Sequence, residues 1–373
     1  MTTFHSIAYF AQHEGSGHFY HFHRSVQKAL EPVLNEVTVY IPENAHFENL
    51  PNEWKKWFSP FYNRSNRRKF WKDCTRLFRA SATSRRIFFI EFFGRRDFVL
   101  YSLAALLFAG KKDVLWVLYR DDLTIRRKKD LKVIRLFSKL LHWKFQKRFV
   151  PLTDSELLAD IYAGWFGQPL VLFPVLYAHY QPVIISPKQK WICTWLGSPR
   201  SEKGAVEISR LVQIQDPASE HIELDISGAT YFPVVKNQIS IHLRKAFLTE
   251  EEYYASLSRS DIVLLPYDPL KYKLRTSGVF VESILAGKIP VVRDGSWLAH
   301  ELKKFDLHEL ILDWANPQFF THLLSIVGNP TLLPKLAKMQ QAYLAFHGEH
   351  NFTRILQELA QDQQGIAYFG KKT

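Results

Sequence analysis

Short apolar runs alternate along this chain with longer stretches whose apolar residues return every three or four positions. The first pattern suits a strand buried on both faces, the second an amphipathic helix. Residues 6–10, 37–41, 87–92, 114–119, 149–153 and 170–173 are predicted strands, and 18–30, 98–109, 129–145 and 156–166 predicted helices. In the first of these helices Phe19, Phe22, Val26 and Leu30 stand at helical spacing. Residues 51–86, rich in Trp and Arg, follow neither period cleanly, and helical stretches are expected there. Strands separated by helices of ten or more residues imply βαβ units and a parallel sheet.

Residues 177–190, with Pro182 and Pro187, read as a linker, after which the alternation restarts. Strands are predicted at 191–196, near 229–232, and at 239–243, 262–266 and 290–293, and helices at 204–214, 250–257 and 279–286, with more helix to the C-terminus. The expected fold class is α/β: one Rossmann-like domain over 1–185 and a second over 186–350, with 351–373 a helix and tail that can return to the first. Ligands of such sheets sit at the carboxyl ends of the strands, so two facing sheets predict a two-substrate cleft between them.

The length of 373 residues agrees with two cores, and 47% hydrophobic residues exclude a disordered chain. Cys74 and Cys193 alone make neither a disulfide framework nor a zinc cluster, which points to a reducing compartment. The N-terminus lacks the basic flank of a signal peptide, and the longest apolar run, 98–110, is about half a bilayer span. A cytoplasmic protein is expected, peripheral at most on the inner face of a membrane. Charge sharpens this picture. The net charge is +13, and residues 55–148 hold 26 Lys and Arg against 7 Asp and Glu. Trp54, Trp57, Phe70 and Trp71 are interleaved with cations there or at its edge, a mixture suited to an anionic membrane surface. Nucleic acid would be drawn to the same charge, but no nucleic-acid motif accompanies it, and none is expected as a partner. Plain solubility charge is the third reading.

Three loops carry candidate chemistry. In Phe10-Ala-Gln-His-Glu-Gly-Ser-Gly-His18, Gly15 and Gly17 allow close backbone approach before a helix, with His18 at its start. Tyr20 stands where a dinucleotide fingerprint needs its third glycine, leaving a substrate-lining loop or a plain turn. His13, His18, His21 and His23 suggest metal, but no cysteine or carboxylate pattern supports it, and no metal is expected. The second loop, Leu196-Gly-Ser-Pro-Arg-Ser-Glu-Lys-Gly204, follows a strand and precedes a helix. Arg200 and Lys203 at a helix start make a diphosphate clamp, or merely a solvated charged loop. The third is Tyr267-Asp-Pro-Leu-Lys-Tyr-Lys-Leu-Arg-Thr-Ser-Gly278, continuing into a helix that contains Glu282. Thr276, Ser277 and Gly278 open that helix and can hold phosphate oxygens, Arg275 adds charge, and the Glu282 carboxylate can accept both hydroxyls of a ribose. Against this stands a Glu282 that simply faces solvent or a structural arginine.

Together the segments "GSPRSEKG", "LTEEEYYASLSRSDIVLLPY" and "RTSGVFVESILAGKIPVV" resemble the GT-B-fold retaining glycosyltransferases of the group that includes sucrose and mannosyl transferases. The similarity is clear over about 190–300; over 1–185 it rests on element order, the "EGSGH" loop, and "FVPLTDSELLADIYAGWFG" followed by "VLFPV". The resemblance implies two facing Rossmann-like domains, a nucleoside-diphosphate sugar as donor substrate, no metal or other cofactor, and transfer with retention to a glycan or lipid-linked acceptor. It implies that Lys203 and Arg200 neutralise the diphosphate and that Glu282 holds the ribose. Gly15, Gly17, Ser198, Tyr272, Arg275, Thr276, Ser277 and Gly278 would complete the donor site, and His18 and Asp121 would act beside the reacting centre. Base contacts are expected near 244–247. This chain departs from the pattern twice. Leu274 stands where the group has a first glutamate, and Arg120-Asp121-Asp122 where many members have a histidine, so an inactive, glycosyltransferase-like binding protein is the alternative. Arg120 would aid phosphate charge or form a structural pair. A nicotinamide-dependent dehydrogenase is disfavoured by the broken glycine pattern.

Overall fold

A computed structural model describes residues 2–8, 19–46, 50–59, 67–80, 84–91, 95–120, 122–123, 126–176, 180–186, 188–196, 199–228, 239–245, 248–361 and 368–369. The chain forms two compact units, one of 1–174 with 350–373 and one of 175–349.

The first unit is built on strands β1 (Thr2–Ile7), β2 (Glu36–Pro42), β3 (Trp54–Phe58), β4 (Arg85–Glu91), β5 (Val114–Leu118), β6 (Phe149–Thr153) and β7 (Leu170–Leu172), with helices α1 (Phe19–Leu30), α2 (Arg67–Arg79), α3 (Arg95–Phe108), α4 (Lys128–Phe145) and α5 (Glu156–Phe166) between them. Hydrogen-bonded neighbours run β7-β6-β5-β4-β1-β2-β3, all parallel, and Tyr368–Phe369 adds antiparallel to β7. Every residue of β5 and β6 is buried, as expected of parallel strands covered on both faces. Strand β3 lies in the stretch that followed neither period cleanly and where helical stretches were expected. Its sequence Trp-Lys-Lys-Trp-Phe buries Trp54 and Phe58 and exposes both lysines, and five residues are too few to separate the two periods. Two cations close helix ends. Arg86 makes a two-pronged bond to buried Asp113 and donates to the carbonyls of Leu77, Phe78 and Ala80 at the end of α2. The Lys144 amine does the same for Ala105, Leu106 and Ala109 at the end of α3. The helix Glu349–Gln361 joins this unit: Phe352 packs on Phe22 and Phe173, and Gln357 donates to the Ala29 carbonyl.

The second unit has β8 (Trp191–Thr194), β9 (Ile222–Ser227), β10 (Ser240–Arg244), β11 (Ile262–Leu265) and β12 (Ile289–Val292), in the parallel order β10-β9-β8-β11-β12. Helices α6 (Ala205–Leu211), α7 (Glu250–Arg259) and α8 (Gly278–Leu285) follow β8, β10 and β11. The strand expected near 229–232 lies outside the described residues; β9 comes earlier, and its buried Asp225 broke the apolar run by which it would have been recognised. Residues 180–186, expected as linker, are held to this unit: Gln181 donates its backbone N–H to the Leu285 carbonyl, and Val183 bonds the Gln340 side chain.

Candidate functional site

Strands β8 and β11 are direct neighbours, with Ile262 opposite Cys193 and Val263 opposite Thr194. Their carboxyl ends therefore release two loops side by side, 195–204 and 266–277. Two contacts stitch these loops together, and one more braces the first of them. Gly204 adopts φ +85°, and a Cβ there would meet the Pro266 carbonyl oxygen at 2.4 Å, so only glycine fits. The Trp195 indole donates to the Lys203 carbonyl at 3.1 Å, and the Asp268 N–H to the Glu202 carbonyl at 3.0 Å. Residues 203–204 are thereby fixed against the start of the second loop.

The amine of half-buried Lys203 lies 5.7 Å from the centre of the Tyr267 ring. Tyr267 packs at 4.5 Å on Tyr272, and the Arg275 guanidinium covers Tyr272 at 5.4 Å. Tyr272 is buried, so its part is to support Arg275 from below. Burial, then Arg200 and Arg275, lower the Lys203 pKa to about 8, against the smaller pull of Glu202 and Glu282. Arg200 is exposed and pairs with Glu202 at 3.2 Å. Three cations thus converge at one sheet edge with incomplete compensation, an arrangement that a multivalent anion would relieve.

Helix α8 starts at the same edge. Ser277 caps it, its hydroxyl accepting the Phe280 N–H at 3.3 Å, with Thr276 half-buried before it. Residues 279–286 are all buried, Glu282 at 2% exposure. A carboxylate there needs a partner, and the Tyr253 hydroxyl of α7 donates to it. Burial and the adjacent Glu282 hold the Tyr253 phenol well above its usual range, so it stays a donor. The solvent-facing reading of Glu282 is thereby overturned. Tyr253 is the residue that sequence reasoning missed; it lies inside the quoted "LTEEEYYASLSRSD" segment, but its reach across to α8 is a tertiary fact. Leu274, at the position of the absent glutamate, is buried.

Lys203, Arg200, Arg275, Tyr272, Thr276, Ser277, Gly278 and Glu282 therefore gather on adjacent loops of one unit. Ser198, Gly15, Gly17, His18 and Asp121 lie outside the described residues. Arg120 has structural partners: it pairs with Glu91 at 3.2 Å and Asp154 at 3.0 Å and covers the Phe22 ring at 4.6 Å. Arg244 was expected near the base; it bonds Asp225 at 2.6 Å and the Trp195 carbonyl at 2.7 Å, while 246–247 lie outside the described residues. Buried His23 bonds Ser6 at 2.8 Å and is lowered to about 3 by burial and Arg120, so it is a neutral packing residue. His21 is exposed. Among the described residues no cluster of three His, Cys, Asp or Glu could hold a metal ion.

No protein-family model and no curated protein sequence matches this chain. Solved structures do. The N-terminal domain of Candida albicans trehalose-6-phosphate phosphatase aligns with TM-score 0.62 at 9% identity, over 96% of this chain and 96% of that one. The α,α-trehalose 6-phosphate synthase of Burkholderia multivorans aligns with TM-score 0.57 at 10% identity, over 97% and 98%. An α-glucosyltransferase in complex with UDP and a 13-mer DNA containing a HMU base aligns with TM-score 0.53 at 11% identity, over 95% and 96%. The chain has the GT-B fold. At identity this low the likeness shows the fold alone and leaves the reaction to the residues.

Proposed function

We propose that this GT-B protein is a glycosyltransferase that moves a sugar from a nucleoside-diphosphate sugar to a glycan or lipid-linked acceptor, without a metal and with retention. One observation carries the reading: Lys203, flanked by Arg200 and Arg275, lies on the loop beside the start of α8, whose first turns bear the buried Glu282. The UDP held by the α-glucosyltransferase neighbour agrees with such a donor.

As the bond from the sugar to the diphosphate breaks, negative charge grows on the leaving oxygens. The three cations and the positive N-terminal end of α8 stabilise that charge where it develops, supplying the neutralisation that a metal ion provides elsewhere. The acceptor oxygen bonds to the anomeric carbon on the same face, and its proton passes to a departing phosphate oxygen. Glu282 accepts the ribose hydroxyls while Tyr253 steadies its other oxygen. The proposed setting is cytoplasmic, at the inner face of a membrane, in cell-envelope polysaccharide or glycolipid synthesis. The basic first unit suits an acidic or membrane-bound acceptor. Buried Leu274 and the carboxylate-paired Arg120 favour one second reading, a protein that binds the nucleotide sugar without turning it over.

A thermal-shift screen of nucleoside-diphosphate sugars, followed by transfer and donor-hydrolysis assays, separates these readings. Stabilisation with turnover supports transfer, stabilisation alone supports the binding protein, and no stabilisation by any donor removes both. Two further outcomes are expected. Glu282→Gln retains the shape but loses a charged acceptor, so donor affinity falls about tenfold to a hundredfold in titration calorimetry. Catalytic efficiency for the donor falls above about pH 8, as the Lys203 amine loses its proton. Lys203→Arg, which stays charged throughout this range, should erase that descending limb, and an unchanged limb would assign it to another group.

A further inference from the structure

Helix α4 turns Ile134, Ser138, Leu141 and Phe145 inward. Its opposite face exposes Lys132, Leu136, Lys139 and Trp143 at spacings of four, three and four, which form one stripe along a helix, and exposed Lys147 follows just beyond. Trp143 is 75% exposed and Leu136 54%. Leu107, 63% exposed, sits near the end of α3, the end that Lys144, the neighbour of Trp143, closes with its amine. Among the described residues, every large exposed apolar side chain of the first unit lies on α3 or α4. Lys111 and Lys112 are exposed just past Leu107. The one acidic residue in 128–148, Asp130, pairs with Arg95.

We infer that the outward face of α3 and α4 docks on the surface of an anionic lipid bilayer, with Trp143, Leu136 and Leu107 entering the headgroup boundary and the lysines beside the lipid phosphates. Two features of this face select the occupant. The cations demand an anionic partner, and the apolar residues interleaved with them fit a boundary where charge and hydrocarbon meet within one helix diameter. A nucleic-acid backbone would use the lysines and leave Leu107 and Leu136 in water. No helix described is long and apolar enough to cross a membrane, so the contact is superficial. The inference deepens the acceptor side of the function proposed above, but stands on the exposure pattern alone.

The full chain is sedimented with vesicles of phosphatidylcholine alone and with about 30% phosphatidylglycerol, at low and high salt. Binding is expected only to the anionic vesicles and should weaken with salt. Trp143→Ala with Leu136→Ala should lower partitioning about tenfold, and Lys132→Glu with Lys139→Glu at least as much. All four side chains are exposed, so both double variants should melt like the parent. Equal binding to neutral vesicles overturns the inference, as does an apolar double variant that binds like the parent. Displacement from vesicles by an oligonucleotide that the apolar variant binds undiminished would reassign the face to nucleic acid. Dimerisation in gel filtration that this variant loses would reassign it to a second copy. The nucleotide-sugar thermal shift is read on the same variants: its absence with intact vesicle binding removes the transferase reading and leaves the docking face, and the converse removes only the docking face.

Discussion

Lys203→Ala should lower catalytic efficiency for the donor by about a hundredfold to a thousandfold, the size of effect seen when one pre-positioned group facing developing negative charge is removed. The backbone that carries its side chain is fixed: Gly204 is locked against Pro266, and the Lys203 carbonyl accepts from Trp195. A side chain rooted on a fixed backbone needs less reorganisation as charge appears. The same substitution should leave the melting temperature of the free protein unchanged or slightly raised, because it removes a half-buried cation that already faces Arg200 and Arg275. Steady-state kinetics with the donor identified by the thermal-shift screen, paired with a melting curve, check both halves. An intact rate would mean that the diphosphate is bound elsewhere.

The second large effect is on stability. Asp225 of β9 has a fully buried carboxylate that accepts from Arg244 at 2.6 Å, Ser256 at 2.9 Å, Arg259 at 3.0 Å and His242 at 3.1 Å. Asp225→Ala should destabilise the second unit by about 3–5 kcal/mol, since it leaves the buried Arg244 guanidinium without its carboxylate. Arg244 also donates to the Trp195 carbonyl, and Trp195 to the Lys203 carbonyl, so the loss should extend into the donor loop as weaker nucleotide-sugar binding. Burial would raise the Asp225 carboxyl, but Arg244 and the hydrogen bonds outweigh it and hold it below its usual value. A folded pKa below the unfolded one means the stabilisation is present above the unfolded value and disappears as pH falls through the folded one. Urea titrations from neutral to acid pH should show the parent losing stability on acidification, with a smaller loss in Asp225→Ala. Parallel curves would place the acid sensitivity elsewhere.

The pattern of apolar runs determined much of this protein without any structure. It set two α/β sheets of parallel strands, because a strand covered on both faces must be apolar throughout, and the helical period between such strands is equally plain. Helix α5 and strand β6 have the bounds that their sequences indicate. Lys203 and Glu282 could be chosen in the same way, one beside a glycine at the head of a helix, the other a carboxylate inside an apolar one. What sequence periodicity could not supply was the strand Trp54–Phe58, too short for its period to register, or the strand Ile222–Ser227, whose buried Asp225 interrupts it. Those elements owe their place to neighbours distant in the chain, and so do the partners of the site. Tyr253 reaches Glu282 across two helices, Asp225 reaches the Lys203 loop through Arg244 and Trp195, and Arg120 is taken up by Glu91 and Asp154. A local period records which side of an element is dry. Which charge meets which across that dry side depends on strand order and register, and these exist only once the sheet has formed.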